Sequence, residues 1–232
     1  MLRRRHTLAH LRAEARTSLL PAILDALPES MRDPVTADQV EFAVRVRGIP
    51  GIVCRPTRPM GADEGQIGFA FPFRVGADRV KSAVTVAPHH IWAFTDPWTV
   101  FRTALAANPV PHPALPALAT VEREHRVRFG LIGSAALETM TGAGYLRPDS
   151  DVDLVVDGSQ GPPPAGLPDA LDAVARAFQV ALDVEILIFD NYGIKMKEFF
   201  SRADTLLVKS IEDVSLQKRD VFIDKIAECC GV

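Results

Sequence analysis

Apolar and polar positions change their period along the chain, and this change predicts where helices and strands lie. From Thr7 to Leu27 apolar residues recur every three or four positions, which predicts a helix that Pro21 starts or interrupts. Val40 to Arg47 then alternates in the pattern of a half-buried strand, Gly48, Pro50 and Gly51 mark a turn, and Ile52 begins another strand. Apolar runs at Gln66 to Phe73 and Ala83 to Phe94 predict further strands. The first part of the chain is therefore expected to be rich in β-structure.

A proline cluster between residues 109 and 116 is the best candidate for a domain boundary. A short helix is predicted just before it, at Thr99 to Ala107. A chain of 232 residues suits one or two domains. We therefore expect a β-rich domain over residues 1–110 and a second domain over residues 111–232.

Beyond the prolines, helical and strand patterns alternate. A loop at Gly158 to Gly166 interrupts them. Helices are predicted from Leu115 to Glu122, Asp169 to Phe178 and Ile194 to Phe200, strands from Phe129 to Ile132, Gln179 to Phe189 and Thr205 to Val208, and an amphipathic tail from Asp213 to Cys229. The expected class is α+β, with a mixed sheet flanked by helices in the second domain.

Composition excludes several classes of protein. Hydrophobic residues make up 47% of the chain and charged residues 24%, and the net charge is -3, which argues against a protein that coats nucleic acid. No apolar run approaches the roughly 20 residues of a membrane-spanning helix, and the basic N-terminus lacks the apolar stretch of a secretory signal. Cys54, Cys229 and Cys230 have no metal-type spacing, so we expect reduced thiols in a cytoplasmic protein without membrane partners.

The run from Gly133 to Val156 carries the candidate chemistry. Asp151 and Asp153 are separated by one residue in an apolar strand, and alternate residues of a strand share a face. Such a pair can bind divalent cations, and two ions about 3.5 to 4 Å apart can bind the attacking and leaving oxygens of a phosphoryl transfer. Carboxylates, phosphate oxygens and water favour Mg²⁺. The pattern predicts a magnesium-dependent enzyme that acts on a phosphorylated substrate.

Other residues complete this predicted site. Asp183 and Glu185 share one face of a second acidic strand, and the sequence does not decide which is the third metal ligand. Gly133 and Ser134 end a strand and begin a helix, where small residues and backbone N–H groups suit a phosphate. Candidates to neutralise the charge of a leaving pyrophosphate are Arg147 and Lys209.

These residues resemble a known family. A Gly-Ser pair followed by Asp-Val-Asp in an apolar strand is similar to the polymerase-β-like nucleotidyltransferase superfamily. More narrowly, the run resembles the malonate decarboxylase holo-acyl-carrier-protein synthases, or phosphoribosyl-dephospho-CoA transferases. The narrower signals are Thr141-Gly142, Tyr145-Leu146, Ser150, the LDVEI run at Leu182 to Ile186, Gly193, Glu198 and the LLVK run ending at Lys209.

The resemblance implies a reaction and partners. The enzyme would take triphosphoribosyl-dephospho-CoA, let a serine of the apo acyl-carrier protein of malonate decarboxylase attack the phosphate nearest the ribose, and release pyrophosphate. Asp151 and Asp153 would be catalytic metal ligands, Gly133 and Ser134 would hold the triphosphate, and the first domain would bind substrate or carrier protein. Two alternatives stay open: a nucleotidyltransferase that uses a nucleoside triphosphate, and a silent module that binds a carrier or a nucleotide.

Overall fold

Two compact units make up the chain. A computed structural model describes residues 1–188 and 192–230, without the side chains of residues 225–230. The first unit consists of Met1–Asp96 and Thr141–Tyr145, and the second of Pro97–Met140 and Leu146–Val232. The first unit thus ends at Asp96, whereas the sequence analysis puts the boundary at residue 110. The expectation that Cys229 and Cys230 are reduced thiols concerns side chains outside the described part and stays a prediction.

An antiparallel sheet forms the first unit. Within the described residues its five strands are ordered β4-β3-β2-β1-β5, with every neighbouring pair antiparallel. The sheet buries an apolar face that includes Ile67, Phe69 and Phe71. The elements are β1 (Leu8–Leu11), helix α1 (Ala13–Asp25), helix α2 (Pro34–Glu41), β2 (Gly51–Cys54), β3 (Gly65–Val75), β4 (Asp78–Val86) and β5 (Ile91–Thr95). The predicted β-rich first part is confirmed.

The predicted helix from Thr7 to Leu27 is wrong at its start. Residues 8–11 form β1, which lies between β2 and β5, and the helix begins only at Ala13. Pro21 lies inside α1 rather than at its start. Leu8 and Leu11, three positions apart, satisfy a helical period by chance, and the sheet pairing decides the conformation.

The strand predicted from the alternation at Val40 to Arg47 is also wrong, whereas the strand predicted to begin at Ile52 lies within β2. Residues 40 and 41 end α2, and Phe42–Val46 form a π-helical turn. Val40 and Val44 are buried while Phe42 and Val46 are exposed, a spacing of four rather than two. The missed signal is a helix start: the Asp33 side chain accepts a hydrogen bond from the Thr36 N–H at 3.0 Å, and proline occupies the first helical position.

A mixed sheet forms the second unit. Among the described residues six strands are ordered β11-β10-β9-β8-β7-β6; β7 and β8 are parallel and all other neighbours are antiparallel. The elements are helix α3 (Pro97–Ala106), helix α4 (Leu115–His125), β6 (Phe129–Leu131), helix α5 (Gly133–Thr141), β7 (Val152–Asp157), helix α6 (Leu167–Phe178), β8 (Leu182–Ile188), β9 (Tyr192–Lys195), helix α7 (Met196–Phe199), β10 (Thr205–Lys209), β11 (Val214–Lys218) and helix α8 (Arg219–Cys230). The predicted α+β class, with its mixed sheet flanked by helices, is confirmed.

Three predicted elements of this unit need correction. Residues 192–195 form a strand, so the helix predicted from Ile194 is reduced to the single turn α7. The predicted amphipathic tail begins with β11, which pairs with β10, before α8 starts. The strand predicted as far as Phe189 is described to Ile188, and Phe189 lies outside the described residues. No helix in the described part of the chain is long and apolar enough to cross a membrane.

Candidate active site

A turn before β7 determines where Asp151 stands. Ser150 N–H donates to the Arg147 carbonyl at 3.0 Å, and Arg147 N–H donates to Ser150 Oγ at 2.9 Å. The Val152 N–H, at the start of β7, donates to the carbonyl of Ala181, the residue before β8, at 2.9 Å. The pairing of β7 with β8 begins at this point. Asp151, between the turn and the strand, is exposed. Ser150, one of the residues that carry the resemblance, therefore shapes the backbone that leads to Asp151.

The parallel pairing of β7 with β8 gives the two candidate third carboxylates different positions. Asp183 lies opposite Asp153, and Glu185 lies opposite Val155. Since residues opposite each other in neighbouring strands point to the same face, Asp183 and Asp153 are neighbours on that face. Glu185 is one step deeper along the strand and only 5% exposed. The structure thus groups Asp183 with Asp153, and leaves Glu185 in the core of the unit.

The negative charges of these carboxylates repel one another. The pKa of Asp153 is raised to about 6, chiefly by burial and then by the negative charges of Asp151 and Asp183, while Lys195 acts in the opposite direction. A raised carboxyl pKa means that the charged form lacks sufficient compensation. We call the group of Asp151, Asp153 and Asp183 the acidic cluster.

Lys195 is a site residue that the sequence analysis missed. It ends β9, next to β8, where it lies opposite Glu185. Its ammonium group forms an ion pair with Asp183 and donates to both carboxylate oxygens. The signal in the sequence is a lysine in an apolar strand that follows an acidic strand, but only the order of the strands shows that it reaches the cluster.

Gly133 packs directly against the acidic cluster. It has a φ of +66°, and a Cβ atom added to it would lie 1.9 Å from Asp153 Oδ2. The Ile132 N–H donates to the Asp153 carbonyl at 3.1 Å, which holds the end of β6 against β7. Only glycine combines this backbone conformation with such a close approach. This geometry accounts for glycine at this position through Asp153, and the predicted approach of its backbone to a phosphate stays a prediction.

The first turn of α5 lies beside that glycine. Ser134 is the second residue of the helix and is half-buried. Backbone N–H groups of a first helical turn have no partner within the helix, and the helix dipole adds positive potential there. Gly133 and Ser134 therefore bring potential anion-binding groups next to Asp153, as the sequence predicts.

The two predicted cations lie in different places. Arg147 is in the turn before Asp151, exposed, and its Nε lies 3.2 Å from Asp149 Oδ1. Lys209 lies opposite Gly193, which in turn lies opposite Leu187, four residues beyond Asp183. At about 3.3 Å per residue, this places Lys209 about 13 Å along the sheet from the level of Asp183. The structure does not bring Lys209 to the acidic cluster, and Lys195 is the lysine found there.

Whether the acidic cluster suits a magnesium ion depends on its donor atoms and on their arrangement. Its donors are carboxylate oxygens, which Mg²⁺ prefers, and burial first, then the charges of Asp151 and Asp183, raise the pKa of Asp153. As the side chains stand, no three His, Cys, Asp or Glu residues in the described ranges form a group that could hold a metal ion. Because Lys195 occupies both oxygens of Asp183, a metal would have to replace that ion pair.

A cavity of about 490 Å³ opens beside the acidic cluster. Asp151, Asp183 and Lys195 form part of its lining. Leu171 and Pro168 of α6 supply part of its apolar lining. This volume is typical of sites that bind small organic molecules. The unit thus places a potential binding cavity next to its candidate metal ligands.

The resemblance also includes residues of the first unit. The Tyr145 side chain is 1% exposed and its hydroxyl donates to the Ala70 carbonyl at 3.0 Å. Arg79 donates to the Tyr145 carbonyl at 2.7 Å. Thr141 Oγ1 accepts from the Ala143 N–H at 3.2 Å. These residues stabilise the Thr141–Tyr145 segment and do not offer free groups to a substrate.

Comparisons with known proteins agree over nearly the whole chain. Residues 4–97 match the phosphoribosyl-dephospho-CoA transferase MdcG N-terminal domain, and residues 100–220 match the phosphoribosyl-dephospho-CoA transferase MdcG C-terminal domain. The first match ends at Pro97 and the second begins at Val100, next to the division between the units after Asp96.

Curated relatives carry the same description. A phosphoribosyl-dephospho-CoA transferase of Xanthomonas euvesicatoria is 27% identical over 74% of this chain and 80% of its own length. The protein of that name from Bradyrhizobium diazoefficiens is 28% identical over 87% of this chain and 86% of its own length. No solved structure matches the chain. The acidic cluster, the glycine beside it and both family matches lead to one conclusion: the chain belongs to the phosphoribosyl-dephospho-CoA transferase family.

Proposed function

We propose that the protein transfers the phosphoribosyl-dephospho-CoA group from triphosphoribosyl-dephospho-CoA to a serine of the apo acyl-carrier protein of malonate decarboxylase. Pyrophosphate is the second product. Family membership supports the identity of the transferred group. The observation that carries the reaction type is the convergence of Asp151, Asp153 and Asp183 beside the first turn of α5.

Magnesium is part of the proposal. Asp151, Asp153 and Asp183 would hold it, with two ions per site as the sequence predicts. When bound, it would neutralise the charge of the phosphates and lower the pKa of the attacking hydroxyl. The fit rests on the all-oxygen donor set and on the uncompensated charge around Asp153.

The chain's own groups would orient the donor. Backbone N–H groups at Gly133 and Ser134 bind oxygens of the triphosphate, since both lie in the first turn of α5. The Lys195 ammonium balances the negative charge that builds up on the leaving pyrophosphate. Arg147 is close enough in the chain to Asp151 to approach the same phosphates from the turn.

The bond changes are simple. The serine hydroxyl oxygen forms a bond to the phosphorus nearest the ribose, and the bond from that phosphorus to the pyrophosphate oxygen breaks. The hydroxyl proton is released to solvent. The carrier protein then bears the prosthetic group, attached to its serine through a phosphodiester. Little covalent chemistry is required of the enzyme, so alignment and charge neutralisation supply the catalysis.

Purified protein, Mg²⁺, triphosphoribosyl-dephospho-CoA and apo carrier protein together test the proposal. We expect pyrophosphate release and a carrier protein heavier by one phosphoribosyl-dephospho-CoA group in the mass spectrum. The Asp153→Asn protein, checked for its fold by circular dichroism, is the negative control. Absence of the mass increase with folded partners would overturn the proposal, and incorporation of a labelled nucleoside monophosphate instead would assign the alternative nucleotidyltransferase reaction.

The carrier protein is tested separately. Apo carrier proteins of malonate decarboxylase and of fatty-acid synthesis are offered at equal concentrations in the same reaction. We expect kcat/KM to be highest for the malonate decarboxylase carrier. Equal use of both carriers would contradict that part of the proposal while leaving the transfer reaction intact.

A further inference from the structure

The cavity beside the acidic cluster has an apolar part that the proposed transfer step does not use. Leu171 and Met196 line it and are only 3% and 4% exposed, and half-buried Leu182 adds to the same lining. Buried aliphatic side chains gain from contact with a flat apolar group and offer nothing to a phosphate. The part of the donor that enters here must therefore be uncharged and largely apolar on its faces.

The carboxylates around this apolar part differ in whether they already accept a hydrogen bond. Asp172 and Glu198 contribute carboxylates to the lining. The Glu198 carboxylate already accepts the Leu207 N–H. The exposed Asp172 side chain makes no hydrogen bond or ion pair that the structure records for the described residues. Asp172 is therefore an acceptor available to a ligand that carries an N–H donor and no negative charge.

We infer that this cavity receives the adenine base of the dephospho-CoA part of the donor, with the Asp172 carboxylate accepting a hydrogen bond from the exocyclic amino group. The inference rests on the proposed function, which supplies the identity of the donor. Adenine has two apolar faces and an amino group on its edge. The lining that includes Leu171, Leu182 and Met196 suits the faces, and Asp172 suits the edge.

The position of the cavity suits the connectivity of the donor. Asp151 and Asp183 belong both to the acidic cluster and to the cavity lining, so the two linked riboses that join the base to the reacting phosphate would lie between the cavity and the cluster at its rim. Lys197, which is exposed on the same lining, suits the diphosphate that leads from the adenosine to the pantetheine arm. The cavity and its rim thus offer complementary groups to successive parts of the donor: the base, the sugars and the phosphates.

Binding of dephospho-CoA, measured by titration calorimetry without carrier protein, tests the inference. The second probe is its deaminated analogue, in which hypoxanthine replaces adenine and a carbonyl replaces the amino group. Wild-type protein should bind dephospho-CoA about tenfold more tightly or better, because the carbonyl meets a carboxylate that cannot donate. In Asp172→Asn the preference should fall to near unity, since an amide can both donate and accept.

A second pair of variants tests the location without relying on Asp172. Leu182→Trp fills part of the cavity and should weaken dephospho-CoA binding about tenfold or more, whereas Ala181→Trp, at the exposed neighbouring position, should leave it unchanged. Equal binding of the two probes by the wild type, or unchanged binding by Leu182→Trp, would overturn the inference. Because these titrations need no turnover, a protein that transfers the group yet fails them refutes the cavity assignment alone.

Discussion

Gly133 and Asp153 are in such close contact that the glycine has no room for a side chain: a Cβ atom would lie 1.9 Å from Asp153 Oδ2. The glycine also has a φ of +66°, which L side chains rarely adopt. Two independent constraints thus act on one residue, and one of them depends on a carboxylate of the acidic cluster. Substitutions can therefore separate the need for a positive φ at this position from the need for space beside Asp153.

Replacement of Gly133 by alanine should reduce transfer activity by about a hundredfold or more, because the new methyl group displaces the Asp153 carboxylate. The matched control is Gly142→Ala: Gly142 has a φ of +64°, but nothing lies within 4 Å of its added Cβ. Both variants should lose about 1 kcal/mol or more of stability from backbone strain, measured by urea unfolding. Only Gly133→Ala should lose activity in the pyrophosphate-release assay, and equal activities would contradict the proposed contact.

The register of β7 and β8 predicts different roles for two acidic residues of one strand. Asp183→Asn should lower kcat by about a hundredfold or more and raise the Mg²⁺ concentration needed for activity, because a metal ligand loses its charge. Glu185→Gln should keep kcat within about tenfold of the original enzyme, since Glu185 lies outside the acidic cluster. Steady-state kinetics over a range of Mg²⁺ concentrations compares them, and a larger loss in Glu185→Gln would reverse the assignment.

The centre of the site was predictable because it depends on local periodicity. Strand alternation predicts that Asp151 and Asp153 share a face, although β7 begins at Val152 and Asp151 lies directly before it. A Gly-Ser pair between a strand and a helix predicts backbone N–H groups at a helix start. Neither inference needs the order of the strands. Asp151, Asp153, Gly133 and Ser134 therefore follow from the sequence alone.

The rest of the site depends on non-local pairing. The choice of Asp183 over Glu185 requires the register of β8 against β7, and the presence of Lys195 requires β9 to lie next to β8. Lys209 ends an apolar strand, a position that makes it a candidate from sequence alone. In the sheet it lies opposite Gly193, away from the level of Asp183. Such offsets are determined by packing and loop lengths rather than by residue type.

The failed strand prediction at Val40 has a different cause. A valine or phenylalanine at every second position from 40 to 46 satisfies the strand period, while Val40, Ala43 and Val44 also satisfy a helical one. Asp33 and Pro34 at the start of the segment favour the helix. Capping residues thus carried information that hydrophobic alternation alone did not.

The pKa of Asp153 predicts a measurable pH dependence in the metal-free protein. A carboxyl group with an ordinary pKa near 4 that titrates at about 6 in the folded protein binds more protons when folded than when unfolded. Its contribution to the free energy of unfolding therefore falls as pH rises from about 4 to about 6. Carbon-detected NMR titration should find the raised pKa, and Asp151→Asn should lower it by removing a repelling charge. A normal pKa in the wild type would contradict the clustering of the carboxylates.

The two tyrosines of the chain predict a contrast in stability. Tyr145→Phe removes the donor to the Ala70 carbonyl in a buried setting and should lower the free energy of unfolding by about 1 to 2 kcal/mol. Tyr192→Phe, at a position 36% exposed, should change it by less than about 0.5 kcal/mol. Urea unfolding monitored by circular dichroism measures both values. Equal stability of the two variants would mean that the Tyr145 hydroxyl does not stabilise its segment.

Substitutions of Lys195 and Lys209 test which lysine neutralises the charge of the leaving pyrophosphate. The structure favours Lys195, whereas the sequence analysis chose Lys209. Lys195→Met should lower kcat by about ten- to a hundredfold, because the leaving pyrophosphate loses a positive charge beside Asp183. Lys209→Met changes a lysine that lies away from the cluster, so kcat should stay close to the wild-type value. Pyrophosphate, tested as a product inhibitor, should bind more weakly to Lys195→Met and normally to Lys209→Met. Thermal unfolding identifies any loss caused by misfolding. A loss of turnover and of pyrophosphate binding confined to Lys209→Met would assign the charge-neutralising role to the lysine chosen from sequence and remove Lys195 from the site.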